Sequence, residues 1–470
     1  MVFSSLPFLF FFLPAFLILY YLFPGRAKNF VLLVFSLIFY AWGESVYILL
    51  MLLSSFMDYL DGILQEKYGT TLLRKRIFLA AALIINFSLL AYFKYADFAV
   101  GIWNKLTPWD AALPGVALPV GISFYTFQTV SYSIDVYKGR VKTEHNYLSY
   151  LTYVSMFPQL IAGPIVRFST VQEELHNREV NESGFVRGMK RFLLGLLRKV
   201  LIANQIGALW DTIRVADGIS VATAWLGILC FTLQLYYDFS AYSDMAIGLG
   251  RMLGFHFPEN FIYPLSATSV TDFWHRWHVS LSTWFRDYVY IPLGGNRVGV
   301  AKHLRNMFAV WFFTGLWHGA SWNFVLWGLY HGILLTLEKY VWGKGLAKLP
   351  KLLQHLYAIV IVVFGFGIFT FDDMAEMGQY FPKLIGLPGN ALVGNELYWY
   401  AGNYLPFLLA AIVLAFPVYP WFRKKTAKAN VYRKNLITMC GAMALLALFV
   451  VAVASLVRDT YNPFLYFRFK

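Results

Sequence analysis

Charge and cysteine are what this chain has least of. Only 14% of its 470 residues are charged, against about 25% in a soluble globular domain. That shortage excludes a soluble domain of useful size anywhere along the chain. The two cysteines, Cys230 and Cys440, both lie inside apolar runs. They offer neither a disulfide framework nor metal-ligand spacing, and each reads as a small packing residue. Acidic side chains are scarce as well, 25 against 39 lysines and arginines, for a net charge of +14. No internal repeat or low-complexity tract is evident.

Apolar residues take the place of charge. The chain is 59% hydrophobic and 19% aromatic, with a mean hydropathy of +0.56. A membrane span needs about 20 mainly apolar residues. Candidate spans lie near 2–22, 29–43, 45–63, 77–99, 117–136, 147–165, 190–209, 223–249, 303–318, 321–341, 353–373, 400–420 and 435–456. The pattern predicts an all-α polytopic membrane protein. The opening VFSSLPFLFFFLPAFLILYYLF has no basic n-region and no small-residue cleavage site, so it reads as a retained span rather than a signal peptide. Several segments are short or interrupted by glycine and proline. These predict half-helices or re-entrant stretches, tolerated at membrane depth only where protein or water covers the backbone.

The positive charge does not call for nucleic acid. Arg26 and Lys28 follow the first span, Arg74, Lys75 and Arg76 precede the fourth, and Arg297, Lys302 and Arg305 precede the WFFTGLWHG segment. Lys344, Lys348 and Lys351 form another basic loop, and Arg423, Lys424, Lys425, Lys428, Arg433 and Lys434 form the strongest. Such loops stay cytoplasmic, which places both termini outside; some of these bases are also candidates to hold an anionic cofactor. Segment 166–190, RFSTVQEELHNREVNESGFVRGMKR, reads as an interfacial amphipathic stretch.

Polar residues inside the apolar segments are the candidates for chemistry, because they are costly to bury there. They concentrate at 272–331, in DFWHRWHVSLSTWFRDYVYIPLGG and WFFTGLWHGASWNFVLWGLYHG. His318 lies close to the centre of an apolar segment; imidazole titrates near neutral pH and can take and return a hydroxyl proton. The competing reading is a core histidine hydrogen-bonded across helices. Asn323 and Ser321 are placed to orient the ring or bind an oxyanion, and Gly319 to let a substrate approach. His278 lies three residues after His275, which puts both on one helix face; a metal pair there lacks a third ligand nearby. The competing reading is a belt helix with Trp274, Trp277 and Trp284 at headgroup depth, which leaves Asp272 and Asp287 unexplained.

Other segments carry weaker signals. Gln234, Asp238, Ser240 and Asp244 in FTLQLYYDFSAYSDMAIG fit interhelical hydrogen bonding. LPVGISFYTFQTVSYSIDVYKG predicts a helix bent at Pro119 and Gly121 with a polar lining, and MFPQLIAGPIVRF a broken helix. In GLLRKVLIAN, Arg198 and Lys199 either snorkel to the interface or contact a phosphate-bearing donor. The tail NPFLYFRFK either docks on the membrane surface or folds back into a cavity and presents Tyr466.

Taken together these segments resemble the membrane-bound O-acyltransferase (MBOAT) family, in particular its bacterial branch of the AlgI and PatA type, which exports acetyl groups for polysaccharides. The quoted motifs run in family order from about 118 to 332. The resemblance implies a single membrane domain over 1–470, with a signature core at about 118–341 and an aromatic tail at 457–470. It implies a ring of about 11 transmembrane helices plus re-entrant or interfacial helices around a central funnel, in the bacterial cytoplasmic membrane. It places the family's active-site histidine on His318 and its second signature histidine on His278. FLYFRF resembles an aromatic motif that supplies an acyl-accepting tyrosine, here Tyr466.

The implied reaction uses acetyl-CoA as acyl donor, with no permanently bound cofactor and no metal. Arg198, Lys199, Lys302 and Arg305 are the donor-binding candidates. His318 acts as base, and His278 or Asn323 helps position reactants or the oxyanion. An extracytoplasmic SGNH-type acetyltransferase then carries acetyl to a polysaccharide: alginate-like, cellulose or peptidoglycan. Two alternatives stand beside it: a D-alanyl exporter of the DltB type, and a transporter or flippase without acyl chemistry.

Overall fold

The computed structural model describes residues 2–25, 27–387, 389–426, 430–458 and 464–465. Arg26, Lys428 and Tyr466 lie outside the described residues. Among the described residues every regular element is a helix. Among the described residues, six helices are long and apolar enough to cross a membrane: Ile48–Tyr68, Leu72–Leu106, Glu182–Arg214, Lys351–Thr370, Asn395–Leu414 and Val431–Arg458. Phe8–Leu22 and Ala27–Gly43 are shorter apolar helices. The chain divides into two compact units. Of the described residues, one holds those of 2–192 and Tyr242–Glu259, the other Leu193–Ala241 and those of 260–465.

In the first unit, phenylalanines fill the core. Phe157 stands edge-on to Phe12 and Phe16, at ring separations of 5.4 and 5.1 Å, and 5.5 Å from Phe39. It is delivered by the expected break. Helix Tyr147–Ser155 stops at Met156 (φ −49°, ψ 108°), and Pro158 starts the four-residue turn Phe157–Leu160. Gly121 does not bend a helix, as its sequence suggested. It sits at φ +79° and begins Ile122–Tyr137, and a side chain there would meet the Leu160 carbonyl oxygen at 3.0 Å. That helix is buried on almost every face.

One group of buried polar side chains in this unit is joined into a network. Asn86 donates to both oxygens of Asp58 at 2.8 and 3.0 Å, and Ser133 donates to the same carboxylate at 3.2 Å. Ser54 and Thr129 in turn donate to Asn86 Oδ1. Segment 166–190 forms two helices rather than one continuous stretch. A short helix, Phe168–His176, ends before Asn181, whose side chain accepts the Gly184 N–H at 2.8 Å and caps the start of Glu182–Arg198. That helix crosses Val221–Met252 backbone to backbone: a side chain on Gly188 would lie 2.5 Å from the Gly248 carbonyl oxygen. Close approach of this kind lets helices pack by van der Waals contact where no hydrophobic drive exists. Arg191 ties the crossing to Asp244 at 2.7 Å and to Glu259 Oε1 at 2.6 Å.

Gly248→Val is expected to destabilise the folded protein by about 3 kcal/mol, the upper range for overpacking a tight contact, read as a lower thermal midpoint in detergent. Gly441→Ala, where a side chain meets nothing within 4 Å, is expected to leave the midpoint unchanged or slightly raised, through helix propensity.

Candidate active site

The second unit contains both singled-out histidines, and each stands at a helix break. Helix Val300–His318 ends on His318 itself, because Gly319 is extended (φ −172°, ψ 160°) and the next helix, Trp322–Leu337, begins after Ser321. His318 therefore lies at the tip of a hairpin, not near the middle of an apolar span as its sequence suggested. The two arms close on glycines: a side chain on Gly315 would meet the Phe324 carbonyl oxygen at 2.4 Å, and one on Gly328 the Trp311 carbonyl oxygen at 2.4 Å. Gly319 makes room for protein rather than for a substrate. The position of its missing side chain is 2.1 Å from the Phe324 ring. The His318 imidazole is half-buried, edge-on to Trp317, Trp327 and Phe369 at 5.1, 5.1 and 5.2 Å.

His278 is held quite differently. The expected single helix over FWHRWHVSLSTWF is two seven-residue helices, Val270–Arg276 and Val279–Phe285, with His278 between them at φ 45°, ψ 54°. A left-handed non-glycine residue is strained by about 1–3 kcal/mol and persists only where its surroundings hold it. His275 and His278 consequently share no helix face: His275 is exposed, while His278 is 1% exposed. Asp272 accepts from the Thr268 N–H and pairs with Arg276 at 2.7 Å, and Asp287 pairs with Arg286. Both carboxylates are thus accounted for by local structure.

The tautomer of His278 follows from its neighbours. Asn260 Oδ1 accepts the Ser280 hydroxyl at 2.8 Å and the Ser280 N–H at 3.2 Å. It lies 3.1 Å from His278 Nδ1, so Nδ1 carries the hydrogen and donates. Burial pushes this imidazole below its ordinary range. The ring is neutral, and its Nε2 lone pair is buried without a hydrogen-bond partner among the described residues. The His278 and His318 rings both pack on Trp317, at 5.9 and 5.1 Å.

Asn323 is fully buried, with Nδ2 donating to the Phe369 carbonyl at 3.0 Å. Its Oδ1 has no partner among the described residues, so the atom it leaves over is an acceptor, not an oxyanion donor. Trp327 is the complementary case: its Nε1–H is buried, lacks a partner among the described residues, and belongs to the ring beside His318.

A cleft of about 650 Å³ opens near the basic loops, lined among others by Thr271, His275, Asn296, His303, Lys339 and Gln354. It does not include either signature histidine. It reaches toward them through its wall residue Trp274, 5.4 Å from Trp327. Lys339, an exposed residue of its lining, stands 3.0 Å from His303 Nε2, which also meets Tyr290 Oη at 2.9 Å. The carboxylate of Glu338 is occupied by the Val270 and Thr271 N–H groups at 2.8 and 2.9 Å.

The four basic candidates have different fates. Lys302 is exposed, and Arg305 is exposed with its guanidinium on Asn306 Oδ1 and the Leu293 carbonyl. Arg198 is half-buried and reaches the Leu194 carbonyl. Lys199 does not snorkel: it is buried and paired with Asp238 at 2.5 Å. Lys339, Asn260, Ser280 and Trp327 were not singled out from sequence. Lys339 was the most legible of them, as a base inside the apolar run that follows the WHG motif.

The fold and this site define a multi-pass membrane enzyme. Residues 34–373 match the MBOAT, membrane-bound O-acyltransferase family, and the chain belongs to it; it is an acyltransferase. It is 36% identical to a protein named "probable alginate O-acetylase AlgI" from Azotobacter vinelandii, over all of both chains. It is 33% identical to a peptidoglycan O-acetyltransferase from Helicobacter pylori, over 83% of this chain and 81% of that one. Identity to a teichoic acid D-alanyltransferase from Bacillus subtilis is 29%, over 53% of this chain and 68% of that one.

Asn260→Ala removes the acceptor that fixes the His278 tautomer. It is expected to lower acyl transfer and, by leaving the buried Ser280 hydroxyl and N–H without their acceptor, to destabilise the protein by about 1–3 kcal/mol; turnover and melting measured together check it.

Proposed function

We propose that this enzyme moves acetyl from cytosolic acetyl-CoA across the bacterial cytoplasmic membrane for O-acetylation of an extracytoplasmic polysaccharide. The observation that carries the acyl chemistry is the pair of imidazoles packed on Trp317, one neutral with a free Nε2 lone pair and one half-open. The similarity to the alginate O-acetylase over the whole chain, against about half for the D-alanyltransferase, favours acetyl and a polysaccharide acceptor. A transporter or flippase has no use for a tautomer-fixed imidazole at His278 or for a partnerless indole N–H at Trp327 beside His318.

His318 is the general base. It takes the proton of an acceptor hydroxyl, that oxygen bonds to the thioester carbonyl carbon, and the carbon–sulfur bond breaks. The proton passes from His318 to the departing thiolate. Trp327 Nε1–H supplies a donor for the carbonyl oxygen as it gains charge. His278, with its lone pair directed inward, accepts from and positions a reactant. The cleft with Lys339, between the basic loops that topology places in the cytoplasm, receives the phosphate-bearing donor, with Lys302 and Arg305 near its rim in sequence. The acceptor hydroxyl is Tyr466, and an extracytoplasmic SGNH-type acetyltransferase removes acetyl from it to the polymer. Both termini are extracytoplasmic.

A general base contributes about 10²–10⁴ in rate, so His318→Ala is expected to abolish polymer acetylation in cells while the protein accumulates normally. Wild-type acetylation in that variant would sink the assignment. Trp327→Phe keeps the ring and loses the donor; kcat is expected to fall by about 10²-fold or more, the scale for one oxyanion donor. Incubation with labelled acetyl-CoA, followed by mass spectrometry of the C-terminal peptide, is expected to place label on Tyr466. An active protein with an unlabelled peptide would remove the covalent route.

A further inference from the structure

Phe464 and Leu465 are the described part of the C-terminal tail, and both are buried, at 1% and 6% exposure. The Leu465 backbone N–H donates to Asp238 Oδ2 at 2.6 Å. The other oxygen of that carboxylate pairs with Lys199 at 2.5 Å, and the Lys199 ammonium stands 4.9 Å from the centre of the Phe464 ring. A buried ion pair holds only where hydrogen bonds occupy its remaining lone pairs and protons. Here the tail contributes to that set, with a charge-assisted N–H bond on Asp238 Oδ2 and an aromatic face toward the ammonium.

Local sequence sets this geometry. Lys199 opens the π-helical stretch Lys199–Ala203, an irregularity frequent at functional sites. Asp238 lies inside Val221–Met252. The next residue on that helix, Phe239, packs edge-on against His278 at 4.7 Å. The seat of the tail and the wall of the histidine site are therefore consecutive residues.

We propose that Lys199 and Asp238 form a latch for the C-terminal tail, holding it by the Leu465 N–H and the Phe464 ring, and that they thereby act as positioning residues for Tyr466, the next residue in the chain. The docking rests on geometry; the consequence for transfer rests on the reading of Tyr466 given above. Recognition through a backbone N–H is indifferent to the side chain at 465, so the discrimination comes from the aromatic ring at 464.

Residue-resolved hydrogen exchange on the full-length protein in detergent tests the latch without reference to catalysis. The Leu465 amide is expected to exchange at least about tenfold more slowly than in the free peptide NPFLYFRFK, the protection that one hydrogen bond to a carboxylate confers. Lys199→Met/Asp238→Leu replaces the ion pair by apolar groups of similar volume, a change proteins often tolerate. It is expected to bring Leu465 to the peptide rate and lower kcat for labelling of Tyr466 about tenfold, with KM for acetyl-CoA unchanged. Leu465→Pro, which removes the donor and leaves the pair intact, is expected to lower kcat equally; Leu465→Met, which keeps the N–H, is not. Peptide-like exchange in the wild type, or protection that survives the double variant, would overturn the latch. Protection as expected in a protein that never labels Tyr466 would instead overturn the acceptor reading.

Discussion

Each polar group carried into an apolar interior has to find its partner inside the protein, since leaving it unpaired costs about 2–7 kcal/mol. The rest of this molecule is arranged around that constraint. Asp58 meets it with Asn86 and Ser133, Arg191 with Asp244 and Glu259, and Asp238 with Lys199 and the Leu465 amide. These contacts join helices far apart in sequence, so the same bonds that discharge the burial cost also fix which helices are neighbours. Glycines at Gly188, Gly248, Gly315 and Gly328 let those neighbours approach to backbone contact, where dispersion replaces the missing hydrophobic drive.

Buried polar atoms without a partner occur in several parts of the described structure, and a few of them lie around the two signature histidines. His278 Nε2, Trp327 Nε1 and Asn323 Oδ1 are buried polar atoms without a partner among the described residues, and the first two belong to rings flanking Trp317 and His318. A lone pair and an N–H are the two things that a hydroxyl attacking a thioester asks of its surroundings. Both histidines also stand where the helix stops. A regular helix would consume the backbone freedom that a strained, left-handed His278 or a hairpin-tip His318 needs, and the covering tryptophans make such irregular backbone tolerable in an apolar setting.

The class of protein was legible from one sequence because it rests on sums: span-length apolar runs and basic loops. The motifs around His318 and His278 were legible because they hold polar residues where composition makes them expensive. What misled was continuity. A run such as FWHRWHVSLSTWF shows no proline or glycine between His275 and His278, so nothing local reveals that the helix breaks there; the break is held by Asn260 and Ser280. Likewise Gly319 looked like room for a substrate until the Phe324 ring was found in that space.

By itself, then, the sequence determined the solvent this protein folds in, its helical class, and the residue types available for acyl transfer, since these depend on composition and local order. Only the tertiary structure decided what each residue is free to do. Lys199, a phosphate-contact candidate when read along the chain, is bound to Asp238, and Asn323, an oxyanion candidate, donates its amide to Phe369. The physical reason is that a polar atom's availability is set by whichever partner the fold brings within about 3 Å of it, and those partners come from distant parts of the chain.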